Sequence, residues 1–341
     1  MGSVKKTIVQ KEANEGVLGI GSFVFSDSYS IFDWGRMPDE IPNKGASICF
    51  MGAHNFELLE REGIETHYRG VVENGEVIEI KDASFPPSEM AIDIARVPEL
   101  NYTYGKYDYR KYYENAEENY VIPLEIIFRN TIPIGSSLRG RMSPEECGID
   151  LENWPDKDIQ LKSPMVEFST KYEDQDRYLQ QEAAEEIARG EKNIKEMTGI
   201  ALEVNDIISK KSEKSNMIHH DGKIECICSN GRIIVGDIVG TLDENRFTYK
   251  GRAISKEILR QYYINKYSEW VKLVLEAKKN GEKNEIDNWR NEMKMDPPKI
   301  PDNVIKTVSD MYSSAANAYT NISMFDSPDL DKVIKDIKLI E

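Results

Sequence analysis

Three carboxylates and one ammonium, Asp221, Lys223, Glu225 and Asp237, fall on neighbouring runs of the stretch MIHHDGKIECICSNGRIIVGDIVGTLDENRF. Apolar residues alternate on both sides of Asn230-Gly231, the pattern of a β-hairpin. Side chains alternate along a strand, so Asp221, Lys223, Glu225 and Ile227 share one face. Gly222, Ile224, Cys226 and Cys228 take the other, an apolar one suited to a core. A two-residue Asn-Gly turn would pair residue 225 with 236 and put Asp237 on the apolar face. A three-residue Ser229-Asn230-Gly231 loop pairs 223 with 237 and brings Lys223, Glu225 and Asp237 together. A carboxylate among apolar neighbours is costly, so the three-residue loop is the expectation.

Converging carboxylates repel one another unless a cation lies between them. Oxygen donors without histidine or thiolate suit magnesium or manganese rather than zinc. Such an ion normally holds the phosphates of a nucleotide, which a nearby lysine also grips. The plainer alternative is an exposed strand face with solvated ion pairs, which contribute little. The residues alone leave both readings open. His219 and His220 are strand neighbours that point to opposite faces, so they do not share an ion.

The elements that must position this hairpin can be read along the 341 residues, enough for two domains or one large one. The chain is 40% hydrophobic and 30% charged, an ordinary soluble composition, and its net charge of −16 argues against a nucleic-acid partner. No apolar run reaches membrane-spanning length and no secretory leader opens the sequence, so the expected location is the cytoplasm. Cys49, Cys147, Cys226 and Cys228 lack zinc spacing and read as reduced thiols. The chain to about Glu125 is strand-rich, with a helix from Ala46 to Gly63 and an Asn74-Gly75 hairpin. Seven tyrosines between Asn101 and Tyr120 read as an inserted ribbon packing on the body or on a second subunit. Helix is expected from Tyr178 to about Ser209, with Met197, Ile200, Ala201, Val204, Ile207 and Ile208 on one face. Further helices are expected from Ser255 and Val304, and a short capped one at the end.

The segments DGKIE and GRIIVGDIVGTLDENRF resemble the signature of the phosphoribosylaminoimidazole-succinocarboxamide synthase (SAICAR synthetase) family, D-x-K-x-E, then G-D-E, then D-S-x-R-F/W. Other blocks resemble family segments in the same order: SDSYSIFDWGRMPDEIPNKG, FELLEREGIETHYRG, IPLEIIFRNTIPIGSS, SPMVEFSTKYEDQDR and PPKIPDNVIKTVSDMYSSAANAYT. Together they span most of the chain.

The resemblance implies an α+β, two-lobed fold. A β-rich N-terminal lobe (1–125) would bind ATP against a larger α/β C-terminal lobe (126–341), with the ATP cleft between them. The implied activity is a carbon-nitrogen ligase of purine biosynthesis. It joins L-aspartate to 4-carboxy-5-aminoimidazole ribonucleotide with ATP and Mg2+, through an acyl phosphate. The family pattern implies Glu225, Asp237 and Asp176 as metal ligands, Lys223 and Asp221 as catalytic residues, and Lys5, Leu124 and Glu125 at ATP. It implies Asp33, Arg129, Ser136 and Arg246 at the substrates. Three departures stand out: Ser3 precedes Lys5 where the family has an early lysine, Ile238 replaces the glutamate of G-D-E, and two segments have no counterpart in compact members. These are the tyrosine stretch and GEKNEIDNWRNEMKMD, which imply a long, archaeal-type branch with room for homo-oligomer contacts. The rival readings are another ATP-dependent ligase or small-molecule kinase on the same scaffold, or a non-catalytic nucleotide-binding relative.

Overall fold

A computed structural model describes residues 4–103, 106–114, 116–173, 177–284, 289–293 and 295–340. Strands β1 (Lys5–Lys11), β2 (Gly19–Phe25), β3 (Tyr68–Glu73), β4 (Glu76–Ile78) and β5 (Glu89–Ile94) form an antiparallel sheet in the order β1-β2-β5-β3-β4. The β3–β4 turn is the expected Asn74-Gly75 pair, both residues at positive φ (54° and 84°), which matches the twist of the flanking strands. Helix α1 (Lys44–Arg61) buries Ile48, Phe50, Met51, Phe56 and Leu59 against this sheet and its neighbours.

A short hairpin, β6 (Tyr102–Thr103) and β7 (Lys106–Tyr107), leads into α2 (Tyr109–Glu114). Tyr112 and Tyr113 are buried, and their hydroxyls donate to the carbonyls of Val121 (2.8 Å) and Ile187 (2.5 Å). Tyr112 and Tyr113 therefore pack on the body of the same chain, whereas Tyr102 is exposed.

The second sheet comprises β8 (Tyr120–Ile132), β9 (Ile159–Thr170), β10 (Tyr178–Leu179), β11 (Met217–Ser229), β12 (Arg232–Gly236), β13 (Arg246–Tyr249) and β14 (Arg252–Ala253). Its order is β10-β9-β8-β11-β13-β14, with β12 paired on β11, and every pair is antiparallel. β8 bulges where Pro123 cannot donate to a ladder. Glu225 pairs with Glu125 and Ile227 with Val121, so three residues of β8 oppose the single Cys226. The helical region after β10 divides into α3 (Gln181–Ile187) and α4 (Glu191–Glu213), because Arg189 and Gly190 both take positive φ. Met197, Ala201, Val204 and Ile208 of α4 are buried, the apolar face expected from their spacing.

The two sheets are tied together by backbone hydrogen bonds. His67 N donates to Val235 O (3.0 Å), Val235 N to Glu65 O (2.9 Å), and Val121 N to Arg96 O (2.9 Å). Helices α5 (Glu257–Lys266) and α6 (Ser268–Asn284) follow, then α7 (Asp302–Thr320) on α1 and α8 (Leu330–Ile340) on α7. All four cysteines are free. No helix among the described residues is long and apolar enough to cross a membrane.

Candidate active site

The hairpin register differs from the expectation. Ser229 pairs with Arg232 and Glu225 with Gly236, so the turn is the two-residue Asn230-Gly231, both at positive φ (52° and 69°). That register alone would turn Asp237 into the core. Asp237 escapes because β12 ends at Gly236 and Asp237 itself takes φ 59°, a left-handed conformation that aspartate tolerates better than most residues. Its carboxylate thereby meets Glu225 in a cavity of about 490 Å³ between the two sheets. The convergence was expected, but its cause is a backbone kink and not the loop length.

The apolar face of β11 behaves as its sequence suggests, with Ile224 and Cys226 buried. The polar face carries three successive clusters. At its far end, Lys171 of the segment after β9 donates to Glu225, and Lys5 of β1 donates to Asp237. In the middle, Lys223 donates to Glu125 and lies 3.3 Å from Glu244. At the near end, Arg246 grips Asp221 with two donors, Nε at 2.7 Å. Arg129 lies between Asp221 (3.4 Å) and Glu167 (2.5 Å). With about 6.7 Å per two residues of strand, the three clusters run along about 13 Å.

Burial and the neighbouring Asp237 push the Glu225 carboxyl up to about 7, against the pull of Lys171, Lys223 and Lys5. Burial also acts to raise Asp237, but Lys5, Lys171 and Lys223 outweigh it and hold that group well below the usual carboxylate range. Two carboxylates that repel inside one cavity are a fitting donor set for a hard divalent cation. Among the described residues no cluster of three or more acidic, histidine or cysteine side chains surrounds such a point, so other ligands would have to complete the shell. Asp176, the third ligand implied by the resemblance, lies outside the described residues.

Other implied residues are placed as follows. Lys5 lines the cavity, with its ammonium 4.5 Å from the Phe23 ring centre. Leu124 is fully buried and does not line the cavity; at the Pro123 bulge the lining residue is Val121, beside Ala95, Val97 and Ile227. Glu125 acts through its side chain on Lys223. Ser136 caps a short turn, accepting from Leu138 N at 3.4 Å. Asp33 is not brought to the cavity. Phe32 and Asp33 are both left-handed, Trp34 packs against Trp270 and Trp289, and the Asp33 carboxylate accepts from Lys278. Arg129 is buried and paired with two carboxylates, which tie it to both β9 and β11.

Sequence reasoning passed over Lys171, Glu167, Glu244 and Lys256. Lys171 and Glu167 both lie in the segment SPMVEFSTKYEDQDR, where strand alternation after Glu167 was the available signal. The Ile238 departure has a packing reason: its side chain is buried against Gly52 of α1, where an added Cβ would come 2.3 Å from Ile238 Cδ1.

Comparison with known proteins gives concordant results. The family model of SAICAR synthetase matches residues 14–276. A putative phosphoribosylaminoimidazole-succinocarboxamide synthase of Archaeoglobus fulgidus is 38% identical over 345 residues, covering 99% of each chain. The corresponding synthase of Thermoplasma acidophilum is 30% identical over 304 residues, 86% of this chain and 90% of its own. The fold is similar to that of a Saccharomyces cerevisiae SAICAR synthase complexed with SAICAR. The TM-score is 0.59 at 17% identity, covering 94% of this chain and 98% of that one. It is also similar to a SAICAR synthetase in complex with ADP, with a TM-score of 0.53 at 22% identity, covering 76% and 88%.

Proposed function

This chain belongs to the SAICAR synthetase family, and we propose that it joins L-aspartate to 4-carboxy-5-aminoimidazole ribonucleotide at the expense of ATP. The observation that carries this reading is the row of clusters on one face of β11. An apolar nook, a lysine-carboxylate cluster, a shared lysine and a pair of arginines follow one another in the order that adenine, phosphates, reacting carboxylate and ribonucleotide would need.

In this reading the two sheets are two lobes, divided near residue 125, and the cavity between them is the ATP cleft. Adenine lies against Val97, Val121 and Ile227, and Lys5 and Lys171 turn from their carboxylates to the phosphates. Glu225 and Asp237 would hold magnesium, which supplies charge neutralisation on the triphosphate. Asp176 is a further candidate ligand.

A carboxylate resists attack by an amine because its leaving group would be an oxide. ATP therefore transfers its γ-phosphoryl group to a carboxylate oxygen, releasing ADP. The aspartate amine then attacks the acyl carbon and inorganic phosphate leaves with that oxygen. Lys223, held between Glu125 and Glu244, is fixed where negative charge builds during both steps, so it needs no reorganisation at the moment of transfer. Arg246 receives the ribonucleotide's phosphate or carboxylate through its planar fork, with Asp221 fixing that fork and Arg129 and Ser136 supporting the site.

The test is ADP release with ribonucleotide, aspartate and magnesium, repeated with each omitted. Full turnover only with all three, together with the succinocarboxamide product, is the expected result. ADP release that ignores aspartate, with no amide formed, would favour the kinase alternative.

A further inference from the structure

Asp243 and Glu244 are adjacent, yet they serve different ends. The Asp243 side chain is engaged by Lys44 (2.6 Å) and by the Tyr312 hydroxyl (2.6 Å), a fixed strut between α1, α7 and the loop before β13 at the edge of the cavity. Glu244 lines the same cavity without such an anchor to α1 or α7. Among the described residues its side chain meets only Lys223, at 3.3 Å, and that ammonium is already shared with Glu125. Lys256, at the start of α5, lines the same cavity and forms no ion pair among the described residues. Its charge favours the ionised form of both Asp243 and Glu244.

A partly exposed carboxylate and a lysine therefore face one cavity beside the middle cluster, where the reacting carboxylate would sit. None of the residues placed so far receives the amine-bearing substrate. We propose that Glu244 and Lys256 form the amino-acid subsite, Glu244 binding the ammonium group of L-aspartate and Lys256 one of its carboxylates. The assignment rests on the ligase reading. Two opposite charges on separate elements suit a zwitterion: the amino acid would give Lys256 a carboxylate partner and Glu244 a second cation beside Lys223. Glu244 is also correctly placed to accept a proton from the ammonium, which must be lost before the nitrogen can attack the acyl carbon.

The experiment measures steady-state constants for Glu244→Gln and Lys256→Met, with succinate as a probe that keeps both carboxylates and lacks the amine. Each variant should raise KM for L-aspartate by about tenfold or more, with KM for ATP and ribonucleotide within about twofold of wild type. Succinate inhibition should weaken in Lys256→Met and stay unchanged in Glu244→Gln. Glu244→Asp, which keeps the charge, should recover part of the loss and guards against a folding defect in the amide variant. An unchanged KM for aspartate in both variants, or succinate binding weakened equally in both, would overturn the subsite. Failure of the wild type to consume aspartate at all would overturn the ligase reading and the subsite with it.

Discussion

Glu225 and Asp237 share one cavity although the sheet pairs Glu225 with Gly236, and the left-handed turn of Asp237 supplies the difference. A strand continued by one more residue would have buried that carboxylate among apolar groups. The kink exchanges local backbone strain for a pair of acidic tips facing the same space, the kind of strain that collects at functional sites.

Asp237→Asn tests this arrangement with little disturbance of the backbone, because asparagine also accepts the left-handed region. The variant should keep its thermal midpoint within a few degrees and lose magnesium-dependent turnover. Retained activity would remove Asp237 from the metal assignment.

Lys223→Met should separate binding from chemistry. Lys223 lies between Glu125 and Glu244 rather than beside the Lys5–Asp237 and Lys171–Glu225 contacts. Turnover is expected to fall by roughly a hundredfold, while the dissociation constant for ATP changes by no more than about threefold. Equal losses in both would contradict a role confined to the transition state.

The two arginines on Asp221 should respond differently to removal. Arg129 is buried between Asp221 and Glu167, so Arg129→Leu leaves Asp221 to Arg246 and Glu167 to Arg141 alone and is expected to cost roughly 2–3 kcal/mol of stability. Arg246 is more exposed, and Arg246→Gln should change stability by about 1 kcal/mol or less while raising KM for the ribonucleotide about tenfold or more. Urea titration and initial rates read the two effects. A stable Arg129→Leu protein with raised KM would reverse the assignment of strut and ligand contact.

His219 provides a pH test of the support beneath Asp221. It packs between Ser209 and Asn245 and stacks on Phe247, and burial lowers it to about 4. The unfolded chain takes up the proton as pH falls through 6.5, whereas the folded chain resists until about 4. The stability this group contributes is therefore full above 6.5 and is lost progressively down to about 4, amounting to roughly 3 kcal/mol. Urea midpoints of wild type and His219→Gln should converge on acidification across that window. A constant gap from pH 7 to 4 would show that His219 does not titrate with unfolding.

Much of the architecture was legible because period and punctuation agreed. The α4 face, the Asn74-Gly75 turn and the alternation of β11 all follow from side-chain spacing that tertiary contacts reinforce. The hairpin register was misjudged because the cost of burying Asp237 was weighed against loop length alone, and a change of φ at one residue was the third solution. Glu244 and Lys256 carried no local signal. The family pattern has serine at the first position, and the two residues come to one cavity only through folding of the chain between β13 and α5. Asp33 accepts from Lys278 and the adjacent Trp34 packs on Trp270 and Trp289, contacts with a part of the chain that no short motif links to this segment.

The most direct measurement is a crystal structure with magnesium and a non-hydrolysable ATP analogue. The account predicts one octahedral ion about 2.1 Å from carboxylate oxygens of both Glu225 and Asp237, with the remaining positions taken by phosphate oxygens and water. An analogue bound in the cavity whose ion touches neither carboxylate would contradict it.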